Sequence, residues 1–533
     1  MAVSEGGSGA PSWLCRHWRW ALIAAVAVLL AISCRDMHLN PDSIHYIDIA
    51  RTMLREHTVA SWHLTLNAER VPMTNLYWPP LYPALLAVPM AAGASAHTAA
   101  WLIAVVSYTV ALAALIWWLR PAEWALAVGA AFIYLSFASG MPFRALSEGP
   151  YVALMLGALL CLATAVGAGD RRAALAVGVL CGALAGAAML SRHAGAATVG
   201  TVLLVAAIAP RTGRRRRGEL LLAVLLGVVL VLGPWLARQA MVNGDLLGPQ
   251  RPPSRRPVGM LIGGLGESIY RDFGAVLVAM LLGALGLRRA QESAKAPVPG
   301  FVWTLLIAGA VAGVAHIAVT MASQIIYQID VPPSSRFFFP AYVAVLLAAA
   351  ALLAMCAPPA DVLRRRWALV AVAAAPIVLA PLVAGMAATD VTPRYTLLDA
   401  WIEQNTAPDD LIIAHRAWPI RLHTGRPVLE DGQVADPPVT DGRLVARFLQ
   451  RFGHDFGDAH LVLLGEWRPV VADYQRAGLQ LELVAKLRTR RHDYDRPEVY
   501  NASIFRVRYG PRQGTAAREA SGATPRHFNG KTL

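Results

Sequence analysis

Asp42 is the residue in this sequence best placed to act as a general base. In its segment, NPDSIHY, Asn40 predicts a helix N-cap and Pro41 the first helical position. At about 100° per residue, Asp42 and His45 share one helix face, whereas Asp48 points largely away. The helix dipole favours the ionised carboxylate, which could accept a proton from a hydroxyl. The alternative is that Asp42 only caps the first turn.

An aromatic and proline-rich stretch, YWPPLYP, follows this predicted helix. Pro79–Pro80 interrupts any helix, while Tyr77, Trp78 and Tyr82 carry rings that favour the headgroup level of a membrane. Tyr46 adds another ring on the helix face of Asp42. These residues predict either an interfacial aromatic belt or a platform beside a bound lipid or sugar.

Charged residues at the ends of hydrophobic segments form the third candidate group. They are Arg144 and Glu148 around one turn, Arg192 and His193 in SRHAG, Arg238 at the end of a span, and Arg336 in SSRFFFP. The planar guanidinium fork binds phosphate oxygens in a bidentate manner, so the arginines are candidates for a phosphate site, with His193 as an additional donor. Glu148 is predicted to pair with a nearby arginine. The alternative is interfacial snorkelling of each arginine.

The elements that position these residues are hydrophobic spans. The chain has 533 residues, of which 56% are hydrophobic and 15% charged, with a mean hydropathy of +0.46. Soluble domains carry roughly 25% charged residues, so the composition predicts a polytopic α-helical membrane protein. Eleven spans are predicted, at 19–34, 98–119, 123–140, 148–167, 173–190, 195–210, 219–240, 272–288, 301–320, 338–357 and 367–388.

The basic connectors predict the orientation of these spans. Positive charge accumulates on one side, at Arg16/Arg19, Arg120, Arg171/Arg172, Arg214–Arg217, Arg288/Arg289/Lys295 and Arg364–Arg366. The positive-inside rule makes that side cytoplasmic, together with the N-terminus at 1–18. The first outer loop, 35–97, and the candidate site residues then lie outside the cytoplasm. Because basic residues follow the spans in this way, the net charge of +14 does not indicate nucleic-acid binding.

The composition changes after the membrane module, which is predicted at 19–388. Residues 389–509 predict a small extracytoplasmic α/β domain, with strands in DDLIIAH, AHLVLLG, LQLELVAKL and SIFRVRY and helices at 395–405, 438–452 and 468–477. Its role is either packing on the outer loops or recognition of the acceptor. Residues 510–533 predict a disordered tail.

No cofactor is predicted. His45 with Asp48, and His415 with His423, are imaginable metal ligands, but neither pair has a recognised metal-binding spacing. A divalent metal is left open as an alternative.

The segment NPDSIHYIDIARTML followed by YWPPLYPALLA resembles the first periplasmic loop of the GT-C membrane glycosyltransferases. This group includes protein O-mannosyltransferases and the aminoarabinose transferases of lipid A. Later segments resemble the group in the same order: RALSEGPY with Arg144 and Glu148, MLSRHAG with Arg192, GPWLARQAMVNGDLLGP with Arg238, SSRFFFPAY with Arg336, and WIEQNTAPDDLIIAHRAWPIRLHTGRPV.

The resemblance implies an inverting enzyme in a bacterial inner membrane. Such an enzyme moves a sugar from a polyprenyl-phosphate donor to an acceptor outside the cytoplasm, and the acceptor here could be a glycan, a lipid or a protein. Asp42 stands at the position of the family's catalytic aspartate. Some relatives carry two adjacent acids there, whereas Ser43 follows Asp42, so a single base is implied.

Two other functions are weighed against the transferase. A flippase or transporter of lipid-linked sugars would be expected to show internal repeats, and none is clear in the sequence. His316 is the best polar candidate near a membrane midplane, although one histidine in a span is more often a packing contact. A non-catalytic assembly protein would leave the outer arginines unexplained.

Overall fold

In the computed structural model, the described residues form mainly helices, with a sheet formed largely by the C-terminal part. The residues described are 12–35, 39, 41–65, 71–74, 78–119, 122–138, 140–142, 144–209, 212–244, 246, 258–270, 300–326, 335–355, 394–415, 417–430, 432–433, 439–440, 442–464, 468–493 and 496–509.

Helices account for most of the described elements. They are α1 (Ser12–Ser33), α2 (Pro41–Glu56), α3 (Leu81–Ala91), α4 (Ala96–Ile116), α5 (Ala122–Ala138), α6 (Glu148–Gly167), α7 (Arg171–Ser191), α8 (Ala196–Ile208), α9 (Arg214–Asn243), α10 (Val258–Ser268), α11 (Gly300–Ile326), α12 (Ser335–Met355), α13 (Thr396–Asn405), α14 (Trp418–Thr424), α15 (Gly442–Phe452) and α16 (Arg468–Arg476).

The strands are short in the first part of the chain and longer towards its end. They are β1 (Ala60–Ser61), β2 (His63–Thr65), β3 (Met73–Thr74), β4 (Arg394–Tyr395), β5 (Leu411–Ala414), β6 (Val428–Glu430), β7 (Gly432–Gln433), β8 (Val439–Thr440), β9 (Ala459–Leu464), β10 (Gln480–Asp493) and β11 (Arg496–Arg508).

The chain divides into two units, each assembled from separated segments. The helical unit comprises Met1–Met37, Pro79–Tyr82 and His97–Ala388. The mixed unit comprises His38–Trp78, Pro83–Ala96 and Thr389–Leu533.

Nine of the predicted spans coincide with observed helices of the helical unit: α1, α4, α5, α6, α7, α8, α9, α11 and α12. The spans predicted at 272–288 and 367–388 lie outside the described residues, as does the tail predicted at 510–533. Among the residues that are described, six helices are long and apolar enough to cross a membrane, at Ala96–Ile116, Glu148–Gly167, Arg171–Ser191, Arg214–Val242, Gly300–Ser323 and Arg336–Met355. The total of eleven therefore stays a prediction.

Helices α7 and α9 pack with their backbones close together. A Cβ atom at Gly182 would overlap the carbonyl of Val224, and one at Gly227 would overlap the carbonyl of Val179. Apolar helices in lipid gain little from the hydrophobic effect, so close backbone approach through small residues is a main source of their association. Glycine is required at these two positions by the space available.

The mixed unit is built on a seven-stranded sheet with the order β2-β6-β5-β9-β11-β10-β4. The pairs β2–β6, β6–β5 and β5–β9 are parallel, and the pairs β9–β11, β11–β10 and β10–β4 are antiparallel. Four of these strands occur where the sequence predicts them, at β5, β9, β10 and β11, and the three predicted helices correspond to α13, α15 and α16.

Both faces of this sheet are covered. Leu411 and Ile413 of β5 pack in one buried cluster with residues of α15 and α16, whereas Ile412 packs in a second cluster with residues of α13 and α14. A strand that is buried on both faces needs apolar side chains at consecutive positions, as in the run Leu411–Ala414. The sheet and its helices therefore form three layers.

The segment 35–97, which the sequence analysis predicted as the first outer loop, contributes a strand to this sheet. β2 pairs with β6 in parallel, with His63 opposite Val428 and Thr65 opposite Glu430. The sequence analysis assigned 35–97 to the membrane module and the α/β domain to 389–509. The pairing was missed because a three-residue strand has too few residues to show a period, and its partner lies more than 350 residues away.

Candidate functional site

Glu148 is a buried carboxylate at the first position of α6. Its side chain is 1% exposed. A carboxylate at a helix N-terminus is favoured by the helix dipole, but an isolated buried charge would still be costly without a cationic partner. Its surroundings must therefore supply positive charge.

Two arginines supply that charge. Arg336 donates from Nε to Glu148 Oε1 at 2.7 Å, and Arg192 forms an ion pair with the same oxygen through Nη1. The arginine side chains are 16% and 17% exposed. We refer to Glu148, Arg192 and Arg336 as the Glu148 cluster. The predicted pairing of Glu148 with an arginine is confirmed.

The aromatic ring of Phe337 contacts both guanidinium groups of the cluster. The guanidinium carbon of Arg192 lies 5.7 Å from the Phe337 ring centroid, and that of Arg336 lies 5.6 Å from it. Cations within about 6 Å of an aromatic ring centroid are attracted by the ring quadrupole. The same ring therefore stabilises two like charges that would otherwise repel each other.

The chain conformation after α7 brings Arg192 into contact with Glu148. Arg192 itself is extended, with φ −156°, and a 3-10 turn at His193–Gly195 follows directly. A Cβ atom at Gly195 would come within 2.5 Å of backbone atoms of Met189, so only glycine fits. Ser191 donates from Oγ to the carbonyl of Ser147 at 3.2 Å, which ties the end of α7 to the residue before Glu148.

Two guanidinium groups contact one carboxylate in the Glu148 cluster, so these three side chains together carry a charge of +1. Arginine presents its N–H groups as a planar fork that matches phosphate and carboxylate oxygens. A partly buried pair of arginines held by a carboxylate and an aromatic ring is thus suited to bind an anion of at least one negative charge.

The other predicted arginine and histidine positions are Arg144, His193 and Arg238. Arg144 is exposed in the segment before α6, and His193 is exposed in the 3-10 turn after Arg192. Arg238 lies near the end of α9, with its guanidinium carbon 5.1 Å from the ring centroid of Trp235. The structure brings together Glu148, Arg192 and Arg336 from the predicted set.

Asp42 is the second residue of α2, in the mixed unit, and is partly buried. The helix begins at Pro41, as predicted. On the same helix, Tyr46 is buried and lies edge-to-face with Trp78 at a centroid distance of 5.2 Å. Trp78 also stacks on His45 at 5.4 Å, so two of the predicted aromatic residues contact each other.

Tyr82 belongs to the helical unit and is 1% exposed. The sequence analysis expected its ring at the level of lipid headgroups. Tyr82 is the second residue of α3, and its depth relative to the headgroups stays a prediction.

Asp48 plays a part in the mixed unit that sequence reasoning missed. Its carboxylate is 1% exposed, and Oδ1 accepts from Arg421 Nε at 3.0 Å. Oδ2 accepts from Ser61 Oγ at 2.8 Å and from the backbone N–H groups of Trp62 at 2.6 Å and His63 at 3.2 Å. Asp48 thereby joins α2, the segment that contains β1 and β2, and α14.

This environment sets the ionisation of Asp48. Burial by itself would raise the pKa of the carboxyl, but the Arg421 guanidinium and the hydrogen bond from Ser61 together hold the pKa below its usual value. Asp48 is therefore ionised at neutral pH and paired with Arg421. No signal in the sequence identifies this partner, which lies 373 residues away.

The part of the chain that the structure describes contains no cluster of side chains suited to bind a metal ion. No group of three or more His, Cys, Asp or Glu side chains there could hold a metal ion. Of the imagined ligands, Asp48 directs its two oxygens at Arg421, Ser61 and backbone N–H groups.

Comparisons with solved structures identify the fold of this chain. No protein-family model matches the chain, and no curated protein matches its sequence. Among solved structures, apo ArnT from Cupriavidus metallidurans aligns with a TM-score of 0.59 at 17% identity, covering 92% of this chain and 98% of that one. ArnT is a GT-C glycosyltransferase. The protein has the GT-C fold.

Two further structures support this identification of the GT-C fold. ArnT from Cupriavidus metallidurans bound to undecaprenyl phosphate aligns with a TM-score of 0.58 at 16% identity, covering 93% of this chain and 98% of that one. The arabinofuranosyltransferase AftD from Mycobacteria aligns with a TM-score of 0.51 at 17% identity, covering 92% of this chain and 41% of AftD. The GT-C fold and the apolar helices together point to a multi-pass membrane protein.

Proposed function

We propose that this protein is an inverting membrane glycosyltransferase that moves a sugar from a polyprenyl-phosphate donor to an acceptor at the extracytoplasmic face. The observation that carries the proposal is the Glu148 cluster, in which two partly buried arginine forks are held at one carboxylate. The GT-C fold supports it, as does the bound undecaprenyl phosphate of the similar ArnT structure. The acceptor is a glycan, a lipid or a protein.

The directions of the helices that carry the Glu148 cluster support its proposed location at the extracytoplasmic face. α6 begins at Glu148 and ends at Gly167, and α7 returns from Arg171 to Ser191, next to Arg192. The basic residues Arg171 and Arg172 therefore lie at the opposite end of this helix pair from the cluster. Under the positive-inside rule, the end with Arg171 and Arg172 is cytoplasmic and the cluster is extracytoplasmic.

The proposed reaction is a single displacement at the anomeric carbon. The acceptor oxygen forms a bond to that carbon and loses its proton to the Asp42 carboxylate, while the bond to the phosphate oxygen breaks and its electron pair leaves with the polyprenyl phosphate. Arg192 and Arg336 stabilise the charge that develops on the leaving phosphate. Removal of one such donor commonly costs about 100-fold or more in rate. No acid is required for the leaving group, because phosphate leaves as an anion.

The test is transfer of radiolabelled sugar from polyprenyl-phosphate donors in membranes that contain the wild type or the Asp42→Asn variant at matched expression. A general base typically contributes about 10²- to 10⁴-fold, so we expect the variant to retain less than about 1% of the rate. The matched control is Asp455→Asn, which makes the same change at an exposed carboxylate and should leave transfer unchanged.

Each other outcome has a defined meaning. Full activity of Asp42→Asn would reject Asp42 as the base. Absence of transfer by the wild type, with labelled carrier lipid crossing the bilayer, would reject the transferase in favour of a flippase.

A further inference from the structure

A buried histidine on α11 contacts the elements that carry the Glu148 cluster. His316 is 1% exposed. Its Nε2 lies 3.0 Å from the carbonyl oxygen of Phe337, the residue that follows Arg336 on α12. Its Nδ1 lies 3.1 Å from the hydroxyl of Tyr151, which is one turn after Glu148 on α6. One side chain thus connects the backbone beside one cluster residue with the helix of another.

The Tyr151 hydroxyl extends this connection to the segment that follows Arg192. It lies 3.1 Å from Thr198 Oγ1 on α8 and 3.5 Å from the carbonyl oxygen of Ala194 in the 3-10 turn. Thr198 and Tyr151 are both fully buried. We refer to Tyr151, Thr198 and His316 as the Tyr151 node.

The hydrogen bonds of the Tyr151 node run in one consistent direction. A carbonyl oxygen only accepts, so His316 Nε2 carries the proton that is donated to Phe337. Nδ1 of the neutral ring then accepts from the Tyr151 hydroxyl, whose oxygen accepts from the Thr198 hydroxyl. Each hydroxyl and each ring nitrogen is satisfied, and such a buried network holds its members in one arrangement.

The first turn of α12 needs such support. Pro340 lies inside this helix and has no N–H, so the turn that contains Arg336 and Phe337 has one fewer internal hydrogen bond. The Phe337 ring also lies against both guanidinium groups of the cluster. Displacement of the Phe337 backbone would therefore move the ring and the neighbouring Arg336 together.

We propose that His316 is a positioning residue, which fixes the first turn of α12 and so holds Arg336 and the Phe337 ring in the geometry that binds the donor phosphate. This role rests on the proposed function of the Glu148 cluster as a phosphate site. It assigns a function to a histidine that the sequence suggested was a packing contact. A displacement of about 1 Å in a positioning element can cost about 10²-fold in rate, so the effect is measurable.

Two substitutions at His316 separate its two hydrogen bonds. In His316→Gln, the side-chain amide reaches the place of Nε2 and can still donate to the Phe337 carbonyl. In His316→Asn, the shorter amide reaches only the place of Nδ1 and keeps the contact with Tyr151. Both variants lose the imidazole ring and keep a polar amide, which differs only in the hydrogen bond that it can preserve, so each serves as the control for the other.

The measurement is the Kd of purified, reconstituted protein for undecaprenyl phosphate, with the midpoint of thermal unfolding recorded for each variant. We expect His316→Asn to weaken binding about tenfold and His316→Gln to stay within about threefold of the wild type, because a tenfold change in Kd is about 1.4 kcal/mol, which lies within the range for one lost hydrogen bond. Equal Kd values for the two variants, or losses in Kd that follow the thermal midpoint alone, would overturn the proposal.

A second pair of variants tests the node from α8. Thr198→Val removes the hydroxyl that donates to Tyr151, whereas Thr201→Val removes one that bonds within its own helix, to the carbonyl of Ala197 at 2.7 Å. Both threonines are 1% exposed. We expect weaker binding of undecaprenyl phosphate only for Thr198→Val, and an equal loss for both variants would contradict the proposal.

Substitutions in the cluster itself distinguish failure of this inference from failure of the proposed function. If Arg192→Gln and Arg336→Gln both bind undecaprenyl phosphate as the wild type does, the cluster is not the phosphate site and both proposals fail. If the arginine variants lose affinity while His316→Asn and Thr198→Val do not, the phosphate site stands and the positioning role is rejected.

Discussion

Asp48→Asn should release the strand β2 from the sheet of the mixed unit. Asp48 accepts hydrogen bonds from Arg421 at one oxygen and from Ser61, Trp62 and His63 at the other. An asparagine amide has one oxygen and one NH2 group. In either orientation its NH2 group faces N–H donors, either those of Arg421 or those of the backbone beside β2.

The expected magnitude follows from burial of the pair. The side chains of Asp48 and Arg421 are 1% and 9% exposed. Breaking a buried ion pair by removal of one partner typically costs about 3–5 kcal/mol, which corresponds to an increase of about 10²- to 4 × 10³-fold in local opening. Unfolding of a protein with two units is not a single transition, so a local measurement is required.

Hydrogen exchange followed by mass spectrometry provides this measurement. The peptide that contains His63–Thr65 should lose protection in Asp48→Asn, whereas peptides of α7 and α9 in the helical unit should not change. In a double-mutant cycle, the variant with both Asp48→Asn and Arg421→Gln should be less destabilised than the sum of the single variants. Additive effects, or unchanged protection of β2 in Asp48→Asn, would refute the role of this pair.

The pH dependence of the same peptide gives a second check. The folded-state pKa of Asp48 is lowered, so its ionisation stabilises the mixed unit fully above the unfolded-state value of about 3.9. This contribution is lost as the pH falls through the lower, folded-state pKa. After correction for intrinsic exchange rates, β2 in the wild type should lose protection below about pH 4, and Asp48→Asn should not show this dependence.

Two further substitutions test the helical unit. Gly182→Leu should abolish stable packing of α7 on α9, because the new side chain would overlap the carbonyl of Val224. The control is Gly200→Ala, since nothing lies within 4 Å of a Cβ atom at Gly200. The measurement is thermal unfolding of the reconstituted protein. Equal stability of the two variants would contradict the packing argument. Arg336→Lys should raise the KM for the donor about tenfold, because the lysine ammonium keeps the positive charge and loses the planar fork. The control Arg508→Lys, at an exposed position, should leave the KM unchanged. An unchanged KM for Arg336→Lys would argue against bidentate binding of the donor phosphate.

Some of the molecule could be predicted from short stretches of sequence. Nine of the predicted spans coincide with helices because the signal is a run of about 20 apolar residues, which a short window contains completely. Pro41 marks the start of α2, because proline suits the first position of a helix. The two-face burial of β5 follows from consecutive apolar side chains in Leu411–Ala414. The arginines at the ends of the spans could be recognised as unusual by their side of the predicted membrane.

The partners of these residues were decided by the tertiary structure. Glu148 meets Arg336 across 188 residues, and Asp48 meets Arg421 across 373, in a chain with 48 lysines and arginines. A buried carboxylate requires a cationic partner, but which of the many arginines becomes that partner depends on which helices and strands pack together. The pairing of β2 with β6 and the contact of His316 with Phe337 have the same origin. The sequence alone therefore determined which segments are apolar, helical or charged, because those properties are local. Only the folded chain determined which charges and hydrogen-bonding groups meet, because that depends on contacts between residues far apart in sequence.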